Sequence, residues 1–267
     1  MDAAAKKDGF AALWEAASRS FTFEGLRRTP PMWREARMWS ELATFQLDPL
    51  SRGVGLPAGE GRPVFLIPGY MAGDLSLSFM ARALQAAGFD AETSGLQLNV
   101  GCAGGMIAAI ETRLEAHVAK AKKRALLVGQ SRGGVLARWL ASRRPDLVGG
   151  LVTLGTPLLD QLALHPAVLM NIGLVTTLGA VGVPGFLSAD CLKVDRCCEA
   201  MFREIELPLA DDVSFLSVYS KSDGIVDWKA CLDPAARHFE VTSSHCGMAF
   251  HVDVMRSIGA ELTTEVQ

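Results

Sequence analysis

The sequence has no large surplus of charge of either sign. Lys and Arg number 26 against 29 Asp and Glu, a net charge of −3. That leaves no electrostatic footprint for nucleic acid. It has no Cys-x-x-Cys pair and no Cys/His spacing of the kind that holds zinc, so its cysteines (Cys102, Cys191, Cys197, Cys198, Cys231 and Cys246) imply no metal. In a reducing compartment most of them are expected to be buried thiols. Glycine and proline are scattered without a period, which excludes collagen-like and low-complexity chains. The start, Met1 to Gly9, holds Asp2, Lys6, Lys7 and Asp8 and has no apolar core. The expectation is a cytoplasmic chain without a cleaved leader.

What is present is apolar. Hydrophobic residues make up 49% of the chain and charged residues 21%, which rules out disorder. Mean hydropathy is +0.23, high enough to point to a large core or an apolar cavity. A chain of 267 residues can bury such a core without metal or disulfide staples.

The first 60 or so residues read as helical. Phe10, Leu13, Trp14 and Ala17 have helical spacing. A second helix is expected from Thr29 as N-cap, with Pro30 and Pro31 in its first turn. It runs through Met32, Trp33, Ala36, Met38, Trp39, Leu42, Ala43 and Phe45. From Pro63 the rhythm becomes strand–helix. Strands are expected at 64–67, 89–93, 125–128, 151–154, 213–219 and 237–241. Helices are expected at 76–87, 103–120, 135–142 and 248–262. This alternation implies an α/β fold, a mostly parallel sheet flanked by helices. The basic run Lys120 to Arg124 reads as a helix C-terminus rather than a binding patch.

One stretch breaks the rhythm. Pro166 to Leu187 contains no charged residue in 22 positions. Its prolines and glycines, and its place between two strands of one sheet, argue against a transmembrane span. The reading is an apolar helical cap inserted at about 158–211.

Gly129-Gln130-Ser131-Arg132-Gly133 is a GxSxG pentapeptide that directly follows an apolar strand and directly opens a helix. That is the setting of a nucleophile elbow, where a sharp turn lifts the serine out of the sheet. A serine nucleophile needs a base. Of the five histidines, His117 reads as a surface or boundary residue, His165 lies in the insertion and His238 in a strand. His245 follows the last strand, where an imidazole can swing over the strand ends; His251 is the reserve. The base needs an orienting carboxylate. Asp223 sits in the loop after a strand and is followed by Gly224; Asp227 is the alternative. An oxyanion needs N–H donors. The backbone of Arg132 supplies one, and the loop Pro68-Gly69-Tyr70-Met71 supplies the other. There Gly69 permits an unusual backbone that turns the N–H of Tyr70, or else of Met71, inward.

Together these pieces resemble the α/β-hydrolase superfamily, and within it the bacterial lipases and esterases. The pieces are IPGY for the oxyanion loop, GQSRGG for the elbow, LVTLGTP on the next strand, YSKSDGIVDW for the acid and SSHCGM for the histidine. The chain order Ser131, Asp223, His245 is that of this superfamily. The resemblance spans Pro63 to the C-terminus. Two positions depart from it: Pro68-Gly69 stands where many members have His-Gly, and Gln130 where many have His. The resemblance implies a hydrolase domain over 63–267 and a helical extension over 1–62. It implies an ester hydrolase with catalytic Ser131, Asp223 and His245 and oxyanion donors Tyr70 and Arg132, needing no cofactor. The expected partner is a small-molecule or lipid-like ester, and the apolar insertion leaves room for a homo-oligomer. Two other functions use the same parts: an acyltransferase, and a hydrolase-fold protein that only binds an apolar ligand.

Overall fold

A strand that is apolar on both sides has no face for water. Pro63–Ile67 (β1), Ala125–Gln130 (β3) and Val148–Leu154 (β4) are buried at every residue. In the computed structural model, which describes residues 29–187 and 199–264, they form the centre of a six-stranded sheet. Asp90–Thr93 (β2), Ser214–Tyr219 (β5) and Arg237–Glu240 (β6) complete it. The order is β2-β1-β3-β4-β5-β6, and every neighbouring pair is parallel.

Successive side chains of a strand point to opposite faces. Val64, Leu66, Leu126, Val128, Val152 and Leu154 meet helices α1 (Met38–Leu47), α2 (Ser78–Ala86) and α7 (Val252–Thr264). Phe65, Ile67, Leu127 and Leu151 face the other way, against α3 (Ala103–Ala121) and α4 (Arg132–Arg143). Between β4 and β5 the chain makes α5 (Pro166–Ala180) and α6 (Glu199–Glu204). No helix among the described residues is long and apolar enough to cross a membrane.

The strand order reverses between β1 and β3: β2 lies to one side, β4 to β6 to the other. In open parallel sheets the crevice beyond the strand ends at such a reversal is the natural ligand site. The loop after β1 and the turn after β3 meet there.

Several local expectations change. The helix Phe10–Arg19 lies outside the described residues. Thr29 does not cap the next helix. It is buried, and a 3₁₀ helix, Met32–Arg37, begins after Pro31 with no side-chain cap and runs into α1. Trp33 and Trp39, read as part of that helix's apolar stripe, are 74% and 68% exposed. The buried positions on this segment are Glu35 and Phe45. His117 is not a surface or boundary residue but is buried. It extends the stripe Ala103, Ile107, Ile110, Leu114 down α3 and stands 6.1 Å from the ring of Phe65. The closing helix is split: a 3₁₀ helix, Cys246–Phe250, is followed by extended His251 and only then by α7. The Lys120–Arg124 end is a helix C-terminus, with Lys122 in the left-handed conformation. Two of its four charges face carboxylates, Asp90 at 3.0 Å from Lys120 and Asp212 at 2.8 Å from Arg124.

Gly133, in the first turn of α4, shows how tightly that helix meets β1. A Cβ there would lie 2.5 Å from the carbonyl oxygen of Pro68 and 2.8 Å from the carbonyl carbon of Ile67. Gly105 on α3 has nothing within 4 Å. Gly133→Ala should therefore cost about 1–3 kcal/mol through overpacking, whereas Gly105→Ala should gain about 0.5 kcal/mol from helix propensity. Urea midpoints of the two variants check both signs.

Candidate active site

Ser131 sits between β3 and α4 with φ 52° and ψ −125°. A non-glycine residue in this region carries strain of about 1–3 kcal/mol and holds it only where its surroundings leave no alternative. Here they leave none. The Ser131 N–H donates to Leu154 O on β4 at 2.8 Å, and its carbonyl accepts from Gly134 N at 2.9 Å. On the β1 side, Gly69 presses against the turn. A Cβ at 69 would lie 3.2 Å from Ser131 Cβ and 3.3 Å from Gln130 O. The expected unusual backbone at Gly69 is absent, since its φ is not positive; the positive φ falls on Met71, at 59°. Gly69 is needed for close approach to the elbow, not for its dihedrals.

His245 and Asp223 come from the loops after β6 and β5. His245 Nδ1 lies 2.6 Å from Asp223 Oδ2, and both side chains are buried. The other Asp223 oxygen accepts the N–H groups of Ile225 and Val226, each at 2.8 Å. A carboxylate only accepts, so the imidazole proton is on Nδ1 and the lone pair on Nε2. Burial disfavours the charged ring, but the Asp223 carboxylate and its hydrogen bond, with Glu35 behind them, outweigh it and raise the pKa of His245. Asp227 is engaged elsewhere, capping the 3₁₀ helix Trp228–Cys231 through the N–H of Lys229. His251 is bonded to Asp253 N. Gln130 Nε2 donates to His245 O at 3.0 Å, tying the residue before Ser131 to the histidine loop.

The loop after β1 is organised by Asn99, a fully buried residue that sequence reading passes over. Its Nδ2 donates to Pro68 O at 2.8 Å, its N–H donates to Ala72 O at 2.8 Å, and its carbonyl accepts from Met71 N at 3.3 Å. Its Oδ1 accepts from the Arg132 guanidinium at 2.7 Å, which also reaches Gly101 O at 2.6 Å. The Met71 N–H is thus occupied, while the described hydrogen bonds give the N–H of Tyr70 no acceptor. The Tyr70 hydroxyl donates to Asn171 Oδ1 on α5 at 3.0 Å, and burial pushes its pKa up to about 12 against the pull of Arg132.

Ser131, Tyr70, Arg132 and His245 line one cavity of about 580 Å³. The insertion between β4 and β5 supplies much of its apolar wall: Leu162, Leu164, Val168 and Ile172, with Met201 from α6. The insertion is anchored beside Asp223. His165 N donates to Ile225 O at 2.7 Å, and Asp227 N donates to Ala163 O at 2.9 Å. Among the described residues, one group of potential metal ligands stands close together, Asp90, Glu92 and His117. None of these lines the cavity, and the Lys120 ammonium already stands 3.0 Å from Asp90.

Ser131, Asp223, His245, Tyr70 and Arg132 therefore meet at one end of the sheet. The residues missed are Asn99 and Glu35, whose carboxylate accepts the N–H groups of Gly224 and His245. Glu35 had one visible signal: with Met38, Leu42 and Phe45 it shares a helical face, so a carboxylate stands in a stripe otherwise apolar.

The sequence matches no protein-family model and no curated protein. Solved structures do match. The mature lipase BlEst2 of Bacillus licheniformis is 15% identical, with 78% of this chain and 95% of that one covered at a TM-score of 0.57. A soluble variant of monoglyceride lipase from Saccharomyces cerevisiae is 14% identical, covering 79% and 91% at 0.57. A monoacylglycerol lipase of Paleococcus ferrophilus is 16% identical, covering 79% and 97% at 0.53. The sheet, the crevice at its reversal and these likenesses agree on one architecture: the chain has the fold of the α/β-hydrolase superfamily.

Proposed function

We propose that the protein is a serine hydrolase that cleaves carboxylic esters with an apolar acyl chain. The observation that carries this is the buried 2.6 Å Asp223–His245 bond opening on the same apolar cavity as Ser131 on its strained turn. The lipases that share the fold support an ester as substrate class. Ser131 Oγ attacks the ester carbonyl while His245 Nε2 takes its proton, and Asp223 holds the ring in the required tautomer. The N–H groups of Tyr70 and Arg132 receive the oxyanion. His245 returns the proton to the leaving alcohol, and water then hydrolyses the acyl-enzyme by the same route. In this reading the segment at about 158–211 is the cap, residues 1–62 are an extension of the hydrolase domain, and the compartment is the cytoplasm. The outward stripe Met170, Leu174 and Leu178, which is exposed, is the surface left for a second copy.

Ser131→Ala should abolish turnover and labelling by a fluorophosphonate while the fold is kept. Asp223→Asn should lower kcat by about 10⁴-fold through the wrong tautomer, and Asp227→Asn far less. An active Asp223→Asn beside a dead Asp227→Asn would reverse the assignment of the acid.

The base works only when neutral, and the pKa of His245 lies above its ordinary 6.5. Activity is therefore full at alkaline pH and lost as pH falls through that raised value. The acid limb of kcat/KM should be centred above pH 6.5, and a profile flat from pH 5 to 9 counts against a histidine base.

Each methylene buried against the insertion should contribute up to ~0.8 kcal/mol, so kcat/KM should rise from acetyl to butyryl to hexanoyl esters. Val168 and Ile172 line the cavity, whereas Leu169 is buried away from it. Val168→Ser with Ile172→Ser should flatten the series and leave acetyl ester cleavage in place. A flat series in the unaltered protein would detach the cavity from the acyl chain.

A further inference from the structure

The acid and the base stand on loops from two different strands, and their backbones are joined by a carboxylate from outside the sheet. Glu35, in the 3₁₀ helix Met32–Arg37, is buried. Its Oε1 accepts the N–H of Gly224 at 2.8 Å and the N–H of His245 at 3.0 Å, and its Oε2 accepts the N–H of Cys246 at 3.2 Å. One oxygen thus holds the residue after the acid and the base itself. Gly224 lets it approach, since a Cβ there would lie 3.1 Å from that oxygen. Two neighbours on the same segment act alike. Glu41 accepts Ser244 N at 2.9 Å and also the Ser244 hydroxyl, and Arg37 donates to Ser222 Oγ at 3.0 Å.

A buried carboxylate is unfavourable unless donors surround it. These donors are backbone groups that a neutral amide could partly serve, so the charge itself needs a reason. We propose that Glu35 is a positioning residue of the active site, clamping the Asp223 and His245 loops to one spacing and placing a second negative charge behind the imidazolium that forms in catalysis. This rests on the triad reading above. The charged groups around His245 are Asp223 from the loop after β5 and Glu35 from the entering segment. Glu41 on α1 is engaged by Ser244 and by Arg37 at 3.4 Å. On the α4 side the Arg132 guanidinium is turned to Asn99 and Gly101. The thiols of Cys246 and Cys231 are held neutral, first by burial and then by the surrounding carboxylates. Glu35 acts on His245 in the same direction as Asp223.

The test compares the full chain with Glu35→Gln and Glu35→Ala on a p-nitrophenyl butyrate substrate across pH. In parallel the His245 ring is titrated by NMR, its signal assigned by loss in His245→Ala. Glu35→Gln keeps an acceptor for Gly224 and His245 and removes the charge. It should keep its melting temperature near that of the unaltered protein, and both the acid limb and the His245 titration should move to lower pH. Glu35→Ala should lower kcat roughly 10- to 100-fold with little change in KM. Trp39→Ala, exposed on the same segment, should change neither. A Glu35→Gln variant whose His245 titration and acid limb stay in place overturns the proposal, as does a Glu35→Ala variant with full kcat. An unaltered protein that cleaves no ester sinks the triad reading instead, and the NMR titration still decides the role of Glu35.

Discussion

Ser131 occupies a backbone conformation that L-residues avoid, and the centre of the fold can be read as the means of keeping it there. β4 holds its N–H, α4 begins at the next residue, and β1 brings Gly69 against its Cβ. Each contact requires a glycine or a buried strand at a defined place. The central strands must be apolar on both faces so that helices can cover the sheet above and below the turn. With covered faces, the open end of the crevice is where polar groups collect, and the loops after β5 and β6 deliver them there. The strain is local, and its support runs through three strands, β1, β3 and β4.

The cavity separates two properties of the insertion. α5 is apolar on nearly every side. One face, with Val168 and Ile172, looks into the cavity, and the opposite one, with Met170 and Leu174, looks outward. The helix is also tied to the polar rim, because Asn171 receives the Tyr70 hydroxyl. A shift of α5 therefore changes the shape of the pocket and the surroundings of the loop after β1 together.

Much of this was legible in the sequence because it rests on local patterns. β1, β3 and β4 are short apolar runs bounded by turn residues, and Gly129 to Gly133 states its turn in five letters. Asp223 and His245 could be placed from the strands before them. What was not legible depends on distant partners. Glu35 was hidden because Trp33 and Trp39 outweigh it in any hydrophobic pattern, although both face solvent. His117 was misread because a polar letter on a long helix suggests water, whereas α3 carries its buried stripe past Leu114 to His117. Asn99 has no pattern at all: its importance lies in bonds to Pro68, Met71, Ala72 and Arg132, which only the fold brings within reach.

The resemblance to known hydrolases begins at Pro63, yet Glu35, Arg37 and Glu41 reach forward across the chain to residues 222–246. The unit recognisable by sequence and the unit that works mechanically have different borders. An expression clone trimmed to the recognisable part would discard the acceptors for the backbone of both loops and leave those amide groups to water. Grafting a foreign leader in front of Pro63 would do the same. For a chain of this type, residues 35–41 belong with the sheet and its loops in any chimera or minimal version.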